Sequence, residues 1–385
     1  MALDGWRRPE GVAVAASASE GHPDKLCDQI AEAIVDAGLR TPERETTVDV
    51  LLGAGAVVVT GAVAPPLAAT LPNLVRDVVR EAGYHEAEVG LDPASVGVLV
   101  ATSPRPRPWL APVSSTGYAC DETAQLVPTP VDLAHRLARR LDAERRAQRL
   151  FYLGPWADTH VMVEYRGGRP WRVRRLALFV RTRVGVEPSA LDRELRQHVV
   201  EPVVPPTLVD AATEVLVVPE YVTPLATTSV VGLSGRRWAS DSYGSLARGD
   251  SAVPVGRAPS SPERLATYAA RYLAKNVVGA GLARRCAVSL VYEPRRERPT
   301  MARIDTFDTG KLADDAIEGL VGAVVDLTLD GLAARFEVRE PLFRAAAVYG
   351  AFGREERPPP WERLDLAPAL RHAVGLPDPW GSVGS

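Results

Sequence analysis

With 385 residues, 46% hydrophobic and 24% charged, and a net charge of -3, the chain has the make-up of a soluble globular protein long enough for two or three subdomains. That balance excludes a charge-driven interaction with nucleic acid, and the longest apolar stretch, Val50 to Val59, falls short of the roughly 20 residues that a membrane span needs. No basic segment leads into an apolar signal core at the N-terminus, which points to a cytoplasmic protein, and Cys27, Cys120 and Cys286 form no CxxC pair, which argues against disulfides or a thiolate zinc site.

Gly11 to Ser17 alternates small and apolar residues as a strand does, and Asp24 to Ala37 carries Leu26, Ile30, Ile34 and Val35 at helical spacing before Gly38. Thr47 to Val59 is a β-branched run, Leu71 to Ala82 an amphipathic helix closed by Gly83, and Val96 to Ala101 a short strand. Pro104, Pro106, Pro108 and Pro112 suit neither a helix interior nor a central strand, so residues 104–117 read as a connector. A second unit follows: a helix over Val131 to Leu150, a hairpin of Thr159 to Tyr165 and Trp171 to Thr182 around Gly167-Gly168, and a helix over Ser189 to Val200 before Pro202. The third unit has a helix over Pro262 to Ala280 with Pro262 in its first turn, a strand over Ala287 to Tyr292 and a helix over Leu312 to Leu327. Alternating strands and helices with hairpins predict an α+β fold in repeated layers, divided at residues 12–103, 118–231 and 232–365 with a tail over 366–385.

The segment Ser17-Ala-Ser-Glu-Gly-His-Pro-Asp-Lys-Leu-Cys-Asp-Gln-Ile30 presents His22 and Asp24 where a helix begins. Read alone, Asp24 serves equally well as a helix N-cap and His22 as a turn residue. Its core, Glu20-Gly-His-Pro-Asp-Lys25, resembles the opening signature of S-adenosylmethionine synthetases, and four further segments resemble that family in the same order. They are Asp121-Glu-Thr with Pro128 and Ala134-His-Arg-Leu137; Gly232-Leu-Ser-Gly-Arg-Arg237 with Asp241-Ser-Tyr-Gly244; Arg264 to Asn276 with Ala280-Gly-Leu-Ala283; and Ala347-Val-Tyr-Gly-Ala-Phe-Gly-Arg354 with Pro360-Trp-Glu362.

The resemblance implies three similar αβ subdomains in a pseudo-threefold arrangement, active sites shared between two subunits of a homodimer or dimer of dimers, and transfer of the 5'-adenosyl group of ATP to a small-molecule acceptor with expulsion of triphosphate. Such a displacement calls for cations on the leaving group, where negative charge builds. By position in the motifs, His22 matches the family histidine beside the 5' oxygen, Asp24 a Mg2+ ligand, and Glu263 the second Mg2+ carboxylate. Asp49 falls at the K+ site. Arg236, Arg237 and Arg257 match phosphate-binding positions, where arginine offers a bidentate fork in place of a lysine point charge. Only three lysines, Lys25, Lys275 and Lys311, occur among 45 basic residues, so arginine at a lysine position carries little weight by itself.

Departures from the family pattern concentrate on the acceptor. Ala62 stands for the glutamate that holds the methionine amine, Gly53 for a lysine, and the Pro104 to Thr116 stretch for a longer gating loop. Asp158, Val230 and Ser261 stand for a lysine, an aspartate and a further lysine. The expectation is a synthetase-like adenosyltransferase acting on methionine or an altered acceptor, with a catalytically degenerate partner of a true synthetase as the alternative. Asp158 separates the two, because an anion there would repel triphosphate unless another cation sits beside it. The remaining histidines, His85, His135, His160, His198 and His372, share no metal-binding spacing and read as structural or solvated.

Overall fold

The computed structural model describes residues 10–41, 45–53, 55–85, 91–105, 108–183, 185–221, 231–247, 252–354 and 358–377. Val230 and residues 378–385 of the expected tail lie outside these. The strands are β1 (Gly11–Ala18), β2 (Thr47–Gly53), β3 (Ala56–Ala62), β4 (Gly97–Ser103), β5 (Val113–Cys120), β6 (Leu153–Arg166), β7 (Arg169–Thr182), β8 (Glu214–Tyr221), β9 (Val231–Leu233), β10 (Arg285–Tyr292) and β11 (Met301–Asp305). They form three sheets ordered β4-β3-β2-β9, β1-β6-β7-β8 and β11-β10-β5.

The pairing pattern repeats around the molecule. In each sheet a hairpin, β2–β3, β6–β7 or β10–β11, accepts on its first strand an antiparallel partner from another part of the chain: β9, β1 and β5 respectively. Two of the hairpins add a parallel strand on the other side, β4 and β8. Each third of the sequence thus opens with a strand that it gives to a sheet built mainly by another third. A pseudo-threefold relation follows from topology even though no residue-level repeat is visible.

One long helix lies against each sheet: Pro23–Gly38 on β2 and β9, Thr129–Arg146 on β6 and β1, and Pro262–Gly279 on β5 and β10. All three start on proline at the first or second position, where the missing N–H costs nothing. Burial of Leu26, Ile30 and Ile34 on the first, Leu133, Leu137 and Leu141 on the second, and Leu265, Tyr272 and Leu273 on the third supplies the three cores.

The connector over 104–117 needs correction, because Val113 to Gly117 belong to β5, a strand paired with β10 along its whole length. Its small residues have a packing cause. A Cβ on Gly117 would lie 2.0 Å from the backbone of Ala270, so only glycine lets the Pro262 helix sit this close. Arg271, fully buried on that helix, donates to the carbonyls of Tyr118, Gln125 and Leu126 and forks onto Glu362 at 2.8 and 3.1 Å. The helix expected over Ser189 to Val200 is α-helical only over Pro188–Leu195 and finishes in a π-helical turn, Arg196–Val200.

Glu362 is the acid of a buried triad with Arg271 and Lys275. Burial opposes its ionisation, yet the two cations hold its carboxyl down to about 2. Lys275 itself sits below its ordinary value because desolvation outweighs its attraction to Glu362, so Arg271 carries most of the pairing. Glu362→Gln, which leaves both cations buried without a counter-charge, should cost about 3–5 kcal/mol of stability in denaturant unfolding. The carboxylate's contribution is complete above pH 4.5, its ordinary value, and is lost as pH falls toward about 2, so the gap between parent and variant should close over that window.

Candidate active site

The loop that carries His22 is fastened edge-on to β6. Ser19 N–H donates to Ala157 O at 2.9 Å, Ala157 N–H to Ser19 Oγ at 2.7 Å, and Gly21 N–H to Pro155 O at 3.0 Å. A Cβ on Gly21 would lie 2.3 Å from Pro155 O, so this approach requires glycine. His22 is thereby lowered against β6, its ring edge-to-face with Trp156 at 5.2 Å between centroids. It is His22, not Asp24, that caps the Pro23 helix, with Nδ1 accepting the Asp24 N–H at 3.1 Å. Its Nε2 lies 3.4 Å from Asp158 Oδ2 and 3.3 Å from Arg237 Nη1.

Asp24, the second residue of the helix, accepts Leu233 N–H on Oδ1 at 2.9 Å, and Arg236 Nη1 lies 3.3 Å from the same oxygen. Asp28, one turn further on, accepts Gly235 N–H at 2.7 Å and pairs with Lys25, which also reaches Asp241 at 2.5 Å. Two helix carboxylates therefore hold the backbone of the 233–235 turn, and that turn delivers Arg236 and Arg237 to the helix N-terminus. Burial pushes the Asp158 carboxyl up, but His22, Arg237 and Trp156 outweigh burial and keep it below the ordinary carboxylate range. Arg237 Nη2 stands 2.8 Å from Asp158 Oδ1 as an ion pair without an aligned hydrogen bond, leaving that oxygen and Arg237 Nε with no hydrogen-bond partner among the described residues.

The other expected site residues lie elsewhere. Asp49 and Arg257 form an ion pair in a cleft of about 780 Å³ that is also lined by Thr47, Thr60, Ala62 and Arg105. Glu263, half-buried in the first turn of the Pro262 helix, makes no side-chain hydrogen bond or ion pair among the described residues. Ser261, which stands for a lysine of the family pattern, is the N-cap of that helix and accepts Arg264 N–H at 3.3 Å. The chain thus gathers His22, Asp24, Arg236 and Arg237 in one group and keeps Asp49, Arg257 and Glu263 outside it, with no hydrogen bond or ion pair between the groups among the described residues.

Trp156 was not legible as a site residue, although its position two residues before Asp158 on a strand puts both on one face. Arg105, inside the proline-rich stretch, carries no motif signal, yet it lines the cleft with Asp49 and Arg257. The K+ assignment to Asp49 does not fit, because the Arg257 guanidinium already neutralises that carboxylate. Mg2+ fits in part. Asp24 Oδ2 takes no hydrogen bond among the described residues and stands 4.0 Å from His22 Nδ1, which suits an ion that takes one or two carboxylates and completes its shell with phosphate oxygens. No cluster of three or more His, Cys, Asp or Glu occurs among the described residues to hold a metal by protein ligands alone. None of the described helices is long and apolar enough to cross a membrane.

Models of the S-adenosylmethionine synthetase N-terminal, central and C-terminal domains match residues 11–105, 114–222 and 226–363. The start of the central match falls beside the start of β5. The chain is also similar to an S-adenosylmethionine synthase from Desulforudis audaxviator (strain MP104C), at 37% identity over 93% of this chain and 97% of that protein. With the ordered motifs, the threefold strand exchange and these matches together, the chain belongs to the S-adenosylmethionine synthetase family.

Proposed function

We propose that the protein is an adenosyltransferase that joins a nucleophile, methionine or an altered acceptor, to the 5' carbon of ATP and releases triphosphate. In that displacement a bond forms from the acceptor to C5' while the C5'–O bond breaks and its electron pair leaves with the triphosphate oxygen. The observation that carries this reading is the environment of Asp158. An anion in a nucleotide site is tolerable in an enzyme only if a cation is beside it, and Arg237 stands there at 2.8 Å. His22 Nε2–H would face the leaving oxygen, where a donor strengthens as charge develops. Arg236, 47% exposed, keeps guanidinium donors for phosphate. Asp24, with Glu263 from a second subunit, would hold Mg2+, which when bound neutralises charge on the triphosphate.

Ala62 lines the cleft beside Asp49 and Arg257 and offers no group to an ammonium, which supports an acceptor other than methionine, or methionine held weakly. The second reading, a degenerate partner, draws on the same contacts seen from the other side, because Arg237 and Arg257 are each already paired with an aspartate. Titration of ATP and of tripolyphosphate, with and without Mg2+, separates the two. The parent should bind both only with Mg2+, and Asp24→Ala should weaken that binding by at least about tenfold. A parent that binds neither leaves only the partner reading. Mass spectrometry of the products formed from ATP, Mg2+ and methionine, beside other candidate thioethers, then identifies the acceptor.

The separation of the two residue groups supports a homodimer. On β2, β3, β4 and β9 the side chains facing away from the Pro23 helix form a cross-strand row, Leu233–Leu51–Val58–Leu99. Leu99 is 60% exposed in the single chain and Leu51 44%. A flat apolar sheet face of this kind is suited to a second copy of itself.

A further inference from the structure

The Pro23 helix is capped by an imidazole lone pair, since His22 Nδ1 receives the Asp24 N–H at 3.1 Å. A nitrogen that accepts cannot also carry a proton, so while this one 3.1 Å cap bond is made the neutral ring holds its hydrogen on Nε2. That atom lies 3.4 Å from Asp158 Oδ2 and 3.3 Å from Arg237 Nη1, a donor with which a protonated Nε2 makes no hydrogen bond. A guanidinium has no acceptor, and the carboxylate alone can receive the Nε2–H. Asp158 is itself fixed: it lies on β6 next to Ala157, whose main chain is tied to the loop carrying His22, and Arg237 clamps its other oxygen at 2.8 Å.

We propose that Asp158 is a positioning residue that holds His22 in the Nε2–H tautomer, with the imidazole proton turned toward β6 and toward the place of the leaving oxygen. This rests on the donor role given to His22 above. The helix cap fixes one edge of the ring and Asp158 the other, so tautomer and orientation are set together, as an aspartate does for a catalytic imidazole elsewhere. At 3.4 Å the contact is long, and it directs the proton without trapping it. A lysine in place of Asp158 is a donor and would present a hydrogen to Nε2, so the chain uses a different device at this position from the one its relatives' motif encodes. Arg237 neutralises Asp158, and its buried Nε has no hydrogen-bond partner among the described residues.

The test reads the resting protein first. In protein labelled with 15N-histidine, with His22→Asn identifying the His22 signals, the parent should show a protonated Nε2 and a bare Nδ1. Asp158→Asn, whose amide can turn a donor toward Nε2, should shift His22 to a mixture of tautomers, and Asp158→Glu should restore the parent pattern. With ATP, Asp158→Asn should lower kcat by at least about tenfold while KM for ATP stays level or falls, because Arg237 is released toward phosphate. A protonated Nδ1 in the parent, or an Asp158→Asn protein with the parent's tautomer and kcat, overturns the proposal. Since the nitrogen signals are recorded without substrate, a protein that proves inactive sinks the reading of function while the tautomer result still decides the role of Asp158.

Discussion

His22→Ala should slow the release of triphosphate or its phosphate products at saturating ATP by about 10²- to 10⁴-fold while changing ATP affinity less than about threefold. The asymmetry follows from where the ring stands. Its Nδ1 is committed to the helix cap and its Nε2–H points away from the helix, so in the ground state it adds little to nucleotide binding. Only when charge leaves the 5' carbon does a donor at that place gain strength. The substitution also removes the cap, at a cost of about 1 kcal/mol of stability. His22→Asn separates the effects, because asparagine caps helices well: a variant with parent-like unfolding and a slow reaction assigns the loss to the imidazole. Equal rates in parent and His22→Ala would remove His22 from the chemistry.

Leu51→Asp combined with Leu99→Asp should convert a dimer into a monomer and reduce adenosyl transfer to below about a hundredth of the parent's. Both side chains stand in the exposed row on the outer sheet face, and twofold pairing would bury each of them twice. Every introduced carboxylate would be desolvated without a partner, at a cost of several kcal/mol per charge. Loss of activity is expected as well because Asp49, Arg257 and Glu263 lie apart from the His22 group within one subunit. Sedimentation velocity at micromolar concentration reads the state directly. A parent that sediments as a monomer, or a variant that stays dimeric, would show that this face is not the interface.

What could be read from the chain alone follows physical range. The Pro23 and Pro262 helices were legible to within about two residues, since apolar spacing and a leading proline are local signals. The β-branched run from Thr47 was visible as β structure, but its turn into β2 and β3 was not marked by any strong turn pair. β5 was hidden because Val-Ser-Ser-Thr-Gly lacks strand-forming bulk. The reason for that lack, a helix backbone pressed against Gly117, is far away in sequence. In the site, the motifs name His22, Asp24, Arg236 and Arg237 together with Glu263, Arg257 and Asp49, and the fold of the chain places only the first four side by side. The motif pattern presented Asp158 as a charge conflict, because nothing local announces that Arg237 and the Nε2–H edge of His22 converge on it. Asp49 and Arg257 were read one at a time, and only the fold reveals that they answer each other.

The circular lending of strands among the three sheets has a consequence for how the polypeptide acquires its shape during synthesis. The hairpin β2–β3 is made early but receives β9 only after Leu233 has emerged, and β1, the earliest strand of all, waits for β6. β5 in turn waits for β10. No stretch of one hundred or so residues closes its own sheet, so the molecule gains order by nearly simultaneous settlement of distant partners, the slow regime in which loop closure precedes its reward. The same circularity gives the finished protein no seam. Opening any one sheet withdraws a strand rooted in a neighbouring third, and the loop holding His22, which hangs between β1 and the Pro23 helix, is itself held from each third of the chain, by Tyr84 on Gly21 O, by β6 on Ser19 and Gly21, and by Arg237 beside His22.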